Sequence, residues 1–368
     1  MHLTKLTLSN FKNLRECELQ LSGNMNCFIG DNGAGKTNIL DAIYYLSFSK
    51  SFFNPSDQLN VLHNESWFMI KGVYERNGEQ EQIVCSFQQG NKKILKRNSK
   101  TYRRISDHIG LLPLVMVSPG DSVLISGGSE ERRKFVDGVI SQYEPAYLED
   151  LLRYNRVLQQ RNNLLKQLAG SNSSDREVLE LYDAELSAAG TRIHARRKEF
   201  IAQLVPVFQQ YYTAISQDAE RVDLSYLSDL HDNSFERLLE ASHRKDLMLQ
   251  YTSAGIHKDD LNMSLSGYSI RKSGSQGQQK TFLVALKLAQ FEFIREQSSI
   301  KPILLLDDIF DKLDRHRVQQ IVSLVADDHF GQIFITDTNR EHLDAILQSV
   351  SSDHRLFKVT HGAIDVLE

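Results

Sequence analysis

The stretch Gly30-Asp31-Asn32-Gly33-Ala34-Gly35-Lys36-Thr37 constrains this chain more than any other. It has the spacing G-x-x-x-x-G-K-[ST] and follows the apolar run "MNCFI". After it, Ile39, Leu40, Ile43 and Leu46 recur at helical spacing. A strand, a glycine loop and a helix start in that order make a phosphate-binding P-loop. Glycines let successive backbone N–H groups turn onto a phosphate, and the helix N-terminus adds positive dipole. The Lys36 ammonium neutralises β/γ-phosphate charge, and the Thr37 hydroxyl ligates Mg2+. Gly30, Asn32, Gly33, Gly35, Lys36, Thr37 and Asn38 are therefore expected to bind a nucleoside triphosphate, with Lys36 also catalytic.

Such a loop needs a carboxylate at the end of a neighbouring strand. The apolar run "PILLLDD", Pro302 to Asp308, supplies two, and "GQIFITDT", Gly331 to Thr338, has the same form. Both read as buried parallel strands. Asp307 is expected on the metal side, sharing Mg2+ with Thr37 through the ion's water shell, and Asp308 as the base or water-orienting residue.

The rest of the chain divides by pattern. Leu3 to Phe28 suggests two short strands and the strand entering the loop. From Trp67 to Lys100, short alternating runs are punctuated by Asn-Gly and Gly-Asn, the mark of a β-meander. The character changes near Ser118, and from there to Ser216 the chain is nearly all helical. Acids follow Ser129, a helix begins around Pro145, and Leu151, Leu158 and Leu165 repeat every seven residues. Ser174 and Glu177 have capping-box spacing after the polar break "GSNSSD", so two long antiparallel helices are expected. The expected organisation is a nucleotide-binding α/β lobe I, residues 1–110 and 296–368, and a largely helical lobe II, residues 111–295, that carries the hairpin.

Composition narrows the function classes. At 41% hydrophobic residues the chain has ample material for a core. No long apolar segment spans a membrane, and "MHLTKLTLSN" alternates where a signal peptide needs an unbroken apolar run, so the cytoplasm is the expected location. Cys17, Cys27 and Cys85 form no Cys-x-x-Cys pair and read as buried thiols. A formal net charge of -4 means that any nucleic-acid contact must come from a local patch. The segment "NKKILKRNSKTYRR" offers Lys92, Lys93, Lys96, Arg97, Lys100, Arg103 and Arg104 without an acid. It reads either as a hairpin edge guarded by lysines or as a contact to a duplex backbone. Arg192, Arg196, Arg197 and Lys198 read either as a solvated helix face or as part of a DNA track, and His257 beside Asp259 and Asp260 as a polar cluster rather than a metal site.

In "GSQGQQK", Ser275, Gly277 and Gln278 occupy the Ser-x-Gly-Gln positions of the signature motif of ABC-type ATPases, which the segment resembles. A hydroxyl and glycine amides at a helix N-terminus form a second anion pocket. The resemblance implies that it meets the γ-phosphate held by another subunit. The long separation of Lys36 from Asp307 suits SMC-like heads rather than transporter domains. The likeness runs through "LTLSNFKNL", the P-loop, "VSPGDSVLISGGSEERRKFVDGVIS", "SAGIHKDDL", "GSQGQQKTFLVALKLAQ", "LLLDDIFDKLD" and "IFITDT". By these pieces the chain is similar to the RecF family, SMC-like bacterial recombination mediators with an ABC-type ATPase head.

That resemblance implies a weak, DNA-stimulated ATPase using ATP and Mg2+. It implies an ATP-dependent homodimer that clamps duplex DNA near single-strand gaps and works with RecO and RecR to load RecA, hydrolysis releasing the clamp. Three departures stand out. Asp311 opens the D-loop where the family has serine, "TDT" (336–338) stands where transporters carry a switch histidine, and Ile256 and Lys258 replace Pro and Arg. Water or a threonine hydroxyl would then cover the γ-phosphate. The alternatives are a DNA-binding adaptor in which ATP is only a structural latch, or a different SMC-like repair ATPase. A nuclease-coupled ATPase would need a further acidic domain that the sequence does not offer.

Overall fold

The computed structural model describes residues 1–168, 176–217, 220–311, 313–325, 329–349 and 353–367. Strands β1 (His2–Phe11) and β2 (Leu14–Gln20) form a hairpin, and β3 (Met25–Ile29) runs through the P-loop into α1 (Lys36–Phe48). The meander follows as β4 (Trp67–Arg76), β5 (Glu79–Gln88), β6 (Ile94–Arg97) and β7 (Lys100–Thr101). Asn77 and Gly78 link β4 to β5 with φ of 54° and 80°, the left-handed turn that Asn-Gly favours. After β8 (Leu114–Val117) come α2 (Val123–Ser126), α3 (Ser129–Ile140), α4 (Pro145–Leu168) and α5 (Arg176–Ser216). Then follow β9 (Val222–Leu227), α6 (Phe235–Leu249), β10 (Asp260–Leu265), β11 (Tyr268–Ser269), α7 (Ile270–Ser273) and α8 (Gln276–Ser298). The last elements are β12 (Ile303–Asp307), α9 (Arg315–Val325), β13 (Ile333–Asp337), α10 (Arg340–Ser349), β14 (His354–Thr360) and β15 (Ala363–Val366).

The chain forms two compact units. The first comprises residues 1–122, 210–219 and 275–368, and the second residues 123–209 and 220–274. This division differs from the lobe boundaries expected at 110 and 296. β8 pairs in parallel with β12, and α8 packs on β8, so both belong with the sheet that carries the P-loop.

Two six-stranded sheets build the first unit. One has the order β2-β1-β4-β5-β6-β7, with antiparallel neighbours. The other has the order β15-β14-β3-β13-β12-β8, parallel except for β15. Every residue of β12 and β13 is buried, which explains their unbroken apolar runs. α1 shares one core with both sheets: Ile39, Ile43 and Leu46 pack in the cluster that holds Phe68, Ile70, Leu305 and Phe334. The parallel register sets Asp307 opposite Thr336, and Asp337 opposite Ile29 at the mouth of the loop. The carboxyl ends of three strands thus meet at one crevice, where α/β sheets bind ligands.

In the second unit α4 and α5 run antiparallel, as shown by the ion pairs Arg153–Glu185, Arg192–Asp150 and Arg196–Glu144. The buried stripe of α4 is Tyr147, Tyr154, Val157, Arg161, Leu164 and Leu165. Leu151 and Leu158 are only half-buried, so the leucine heptad marks the margin of that face. Arg161 is fully buried because Asp183 and Asp246 flank it at 2.5 and 2.7 Å. Arg197, expected on a solvated face, is buried between Asp137 at 2.9 Å and Asp259 at 3.2 Å. Ser174 and the rest of "GSNSSD" lie outside the described residues. The three cysteines are buried and free, and no described helix is long and apolar enough to cross a membrane.

Candidate functional site

The P-loop takes its shape from glycines at three positions. Gly33 and Gly35 have φ of 79° and 119°, conformations costly for other residues. At Gly30 a Cβ would lie 2.3 Å from the Val359 carbonyl oxygen, so β14 approaches the loop too closely for any side chain. Asn13 buttresses the far side: its amide donates to the Ala34 carbonyl at 3.2 Å, and Asn38 donates to its oxygen at 2.7 Å. The turn of the β14–β15 hairpin adds a bond from Gly362 N–H to the same Ala34 carbonyl, 2.9 Å.

A cleft of about 170 Å3 opens on this loop. Asn32, Gly33, Gly35, Lys36, Thr37 and Asn38 line one wall, and Asp307, Asp308 and Thr336 the other. Lys36 is buried, and its ammonium donates to the Gly30 and Asp31 carbonyls at 2.6 and 3.0 Å. Burial lowers its pKa, against the opposing pull of Asp308 and Asp307. Asp307 accepts from the Thr37 and Thr336 hydroxyls, each at 2.8 Å. Burial raises the Asp307 pKa against those two hydrogen bonds. Burial raises that of Asp308 too, with Asp337 adding to the effect. Asp308 has φ of 48°, held by its N–H donating to the carbonyl and hydroxyl oxygens of Thr336. The structure thus gathers Lys36, Thr37, Asp307 and Asp308 in one crevice.

The donor set suits a nucleotide with Mg2+. At Gly33, which lines the cleft, a Cβ would meet nothing within 4 Å, so the space beside the loop is open to a phosphate, and one hydroxyl with one carboxylate is the hard oxygen set that Mg2+ takes beside phosphate oxygens. Among the described residues no group of three His, Cys, Asp or Glu side chains could hold a metal alone.

Ser275, Gly277 and Gln278 do not line this cleft. Ser275 caps α8: its hydroxyl accepts from Gln278 N–H at 3.2 Å, and the Gln278 side chain accepts from Ser275 N–H at 2.7 Å, a capping box. The Gln278 side chain is thereby used in shaping the helix start. One turn into the same helix, Lys280 is a residue that the motif does not flag. Its ammonium bonds the carbonyls of Asp308 and Asp311 at 3.2 and 2.7 Å. Asp314 caps α9 through Arg317 N–H at 2.9 Å, while Lys312 of the D-loop lies outside the described residues. Neither Asn13 nor Lys280 carries a spacing signal, because each acts on a carbonyl distant in sequence.

The basic segment is mixed. Lys93 is mostly buried and bridges the Tyr45 hydroxyl, the Ser49 carbonyl and Asp57. Arg97 pairs with Glu81 at 2.7 Å and Arg104 with Asp107 at 2.8 Å. Lys93 therefore serves the fold, while Lys92, Lys96, Lys100, Arg103 and Arg104 are exposed and Arg97 is half-buried. His257 is a polar-cluster residue as expected: its ring nitrogens meet the Tyr154 hydroxyl at 2.8 Å and the Thr252 carbonyl at 3.0 Å.

Comparison with known proteins agrees with this geometry. Residues 2–363 match the model of the RecF/RecN/SMC N-terminal domain. The chain is 52% identical over 369 residues to a protein of Bacteroides fragilis described as DNA replication and repair protein RecF, covering 100% of this chain and 99% of that one. A protein of the same description from Flavobacterium johnsoniae is 49% identical, covering 98% and 100%. Among solved structures, the recombination mediator protein RecF with ATP, of the RecFOR pathway, superposes with a TM-score of 0.89 at 29% identity, covering 100% of this chain and 98% of that one. An Smc head domain from Pyrococcus furiosus superposes at 0.58 with 16% identity, covering 100% and 96%, a likeness of fold alone. On its fold, its cleft and these matches, the chain belongs to the RecF family, SMC-like proteins with an ABC-type ATPase head.

Proposed function

We propose that this chain is an ATP-dependent, DNA-binding recombination mediator whose copies pair around two ATP molecules. One observation carries the reading. The first unit holds a P-loop cleft with Lys36, Thr37, Asp307 and Asp308, and also a capped helix start with Ser275 and Gly277 that does not line that cleft. A hydroxyl and amides at the N-terminus of a 23-residue helix suit an anion, and the γ-phosphate on a second copy would complete that pocket.

In this reading Gly30, Asn32, Gly33, Gly35 and Asn38 shape the backbone cradle around the triphosphate, and Lys36 neutralises its charge. Thr37 and Asp307 would hold Mg2+, which supplies charge neutralisation at the phosphate oxygens. Asp308 orients the attacking water and takes its proton. Thr336 gives its hydroxyl to Asp307, so the expected cover for the γ-phosphate falls to water or Thr338. Because ATP joins two surfaces, ATP affinity and dimer affinity rise together.

The descriptions of the relatives support a role in DNA replication and repair, and the ATP-bound solved neighbour is described as a recombination mediator of the RecFOR pathway. The ATP dimer clamps duplex DNA near single-strand gaps, supports RecA loading with RecO and RecR, and opens on slow, DNA-stimulated hydrolysis. Lys92, Lys96, Lys100, Arg103 and Arg104 are the exposed cations available for the duplex backbone, a contact that is salt-sensitive and indifferent to sequence.

The test is molar mass in solution by light scattering for wild type, Lys36→Met and Ser275→Arg, each with and without ATP and Mg2+. The expected result is doubling of the wild type with ATP and monomers for both variants. A wild type that stays monomeric, or a Ser275→Arg chain that still dimerises, overturns the proposal.

A further inference from the structure

Phosphate and Mg2+ occupy only one end of a nucleoside triphosphate, and the strand order sets where the other end goes. β3, which enters the P-loop, lies between β13 and β14 in the sheet β15-β14-β3-β13-β12-β8. Asp307 ends β12 and Thr336 stands on β13, so the metal side of the site, and with it the γ-phosphate, lies on one flank of β3. A nucleoside triphosphate is a linear chain with its base at the end opposite the γ-phosphate. Laid across the loop, it carries its base toward the other flank, which is β14. Because β14 runs parallel to β3, the turn that ends it stands at the same edge of the sheet as the loop.

Two turns meet the loop on that flank, and they meet on one atom. The Ala34 carbonyl accepts from the Asn13 amide, between β1 and β2, and from Gly362 N–H, between β14 and β15. The fit is close. A Cβ on Gly362 would lie 2.5 Å from the Asn13 carbonyl oxygen, and one on Gly35 would lie 2.9 Å from the Asn13 side chain.

The polar side chains of the first turn are already engaged. Lys12 pairs with the buried Asp41 at 2.6 Å, and Asn13 holds Ala34 and Asn38. The second turn differs. Thr360 and Ala363 pair across the hairpin, and His361 and Gly362 between them have φ of 48° and 85°, a two-residue turn with His361 at its tip. His361 is exposed, and among the described residues its ring makes no hydrogen bond or ion pair. It is thus an uncommitted planar ring, one residue from a glycine bonded to the P-loop. Histidine is among the side chains on which nucleobases stack.

We propose that His361 is a base-binding residue, whose imidazole stacks on the base of the ATP held by the P-loop; the inference rests on the nucleotide site proposed above. Two variants separate the ring from the turn. His361→Asn removes the ring and leaves Asn-Gly, the sequence this turn favours, whereas His361→Tyr keeps an aromatic face. Binding to the full chain is followed by calorimetric titration with ATP and with inorganic tripolyphosphate, each with Mg2+. The expected result is that wild type prefers ATP and that His361→Asn weakens ATP about tenfold, the scale of one stacked base. Tripolyphosphate affinity should be unchanged in both variants, and His361→Tyr should keep the ATP affinity. Unchanged ATP affinity in His361→Asn overturns the inference alone. So does an equal loss for ATP and tripolyphosphate, which would make the turn a brace for the loop, or a loss in His361→Tyr as great as in His361→Asn. A wild type that binds neither ligand overturns the P-loop reading and this inference with it.

Discussion

The Thr336 hydroxyl donates a 2.8 Å hydrogen bond to Oδ1 of Asp307, the oxygen that also accepts from Thr37. One strand of the parallel sheet therefore orients the carboxylate at the end of the next. Thr336→Val keeps the shape and the strand pairing but removes the donor. Groups that orient a metal-side ligand are typically worth about 10- to 100-fold in activity or metal affinity. ATP hydrolysis should fall by that order, with more Mg2+ needed for half-maximal rate. Phosphate release across a Mg2+ titration checks this, and an unchanged curve would refute the orienting role.

Lys280 ties the start of α8 to the Asp308–Asp311 turn through two carbonyls. Lys280→Ala should lower hydrolysis about tenfold, the scale of a lost charge-assisted hydrogen bond. ATP affinity of the single chain should stay the same, because Lys280 does not line the cleft. Equilibrium ATP binding and single-turnover hydrolysis separate the two effects.

On the proposed mechanism Asp308→Asn removes the base without changing size. Hydrolysis should drop roughly 100-fold or more, and the ATP dimer should persist on DNA for far longer than the wild type. Dissociation after dilution measures that lifetime. If the variant still supports repair, ATP acts as a latch and turnover is dispensable.

Gly30→Ala sets a Cβ against the Val359 carbonyl at 2.3 Å. Overpacking of this kind costs about 1–3 kcal/mol. Both the thermal midpoint and ATP affinity should fall, as the clash is relieved only by moving β14 or the loop. Calorimetry with and without ATP resolves the two.

Burial pushes the His257 pKa down from 6.5 to about 4. In the unfolded chain the ring takes up a proton near its ordinary value, so between those limits the unfolded state binds more protons than the native one. The stability that neutral His257 supports is present above pH 6.5 and is lost as pH falls toward 4. His194, pushed down to about 4 by burial and by His231, acts in the same direction. Urea unfolding of the wild type should show stability declining across this window, and His257→Asn should flatten part of the slope. Equal slopes would place the proton uptake elsewhere.

Much of this molecule is legible from local pattern. The P-loop, the Asn-Gly turn of the meander, the buried strands ending in Asp307 and Asp337, and the capped start of α8 each depend on residues a few positions apart, where backbone sterics, helix capping and strand burial act. The residue types of the nucleotide site are legible for the same reason, since phosphate chemistry demands glycine, lysine, threonine and carboxylate.

The remainder was decided by pairing across long sequence distances. Asn13 reaches Ala34 and Lys280 reaches Asp311 only because the sheets and α8 bring them together. Lys93 and Arg197 look like surface cations in one dimension, yet both are largely buried beside acids, Asp57 for one and Asp137 and Asp259 for the other. A charge is solvated or paired according to what the fold sets next to it, and burial without a partner would be too costly to persist. The sequence by itself thus determined the phosphate loop, the strands that flank it and the chemistry they carry. Tertiary structure alone decided which cations stay exposed and how Asp307 is oriented, because those depend on contacts that no local pattern encodes.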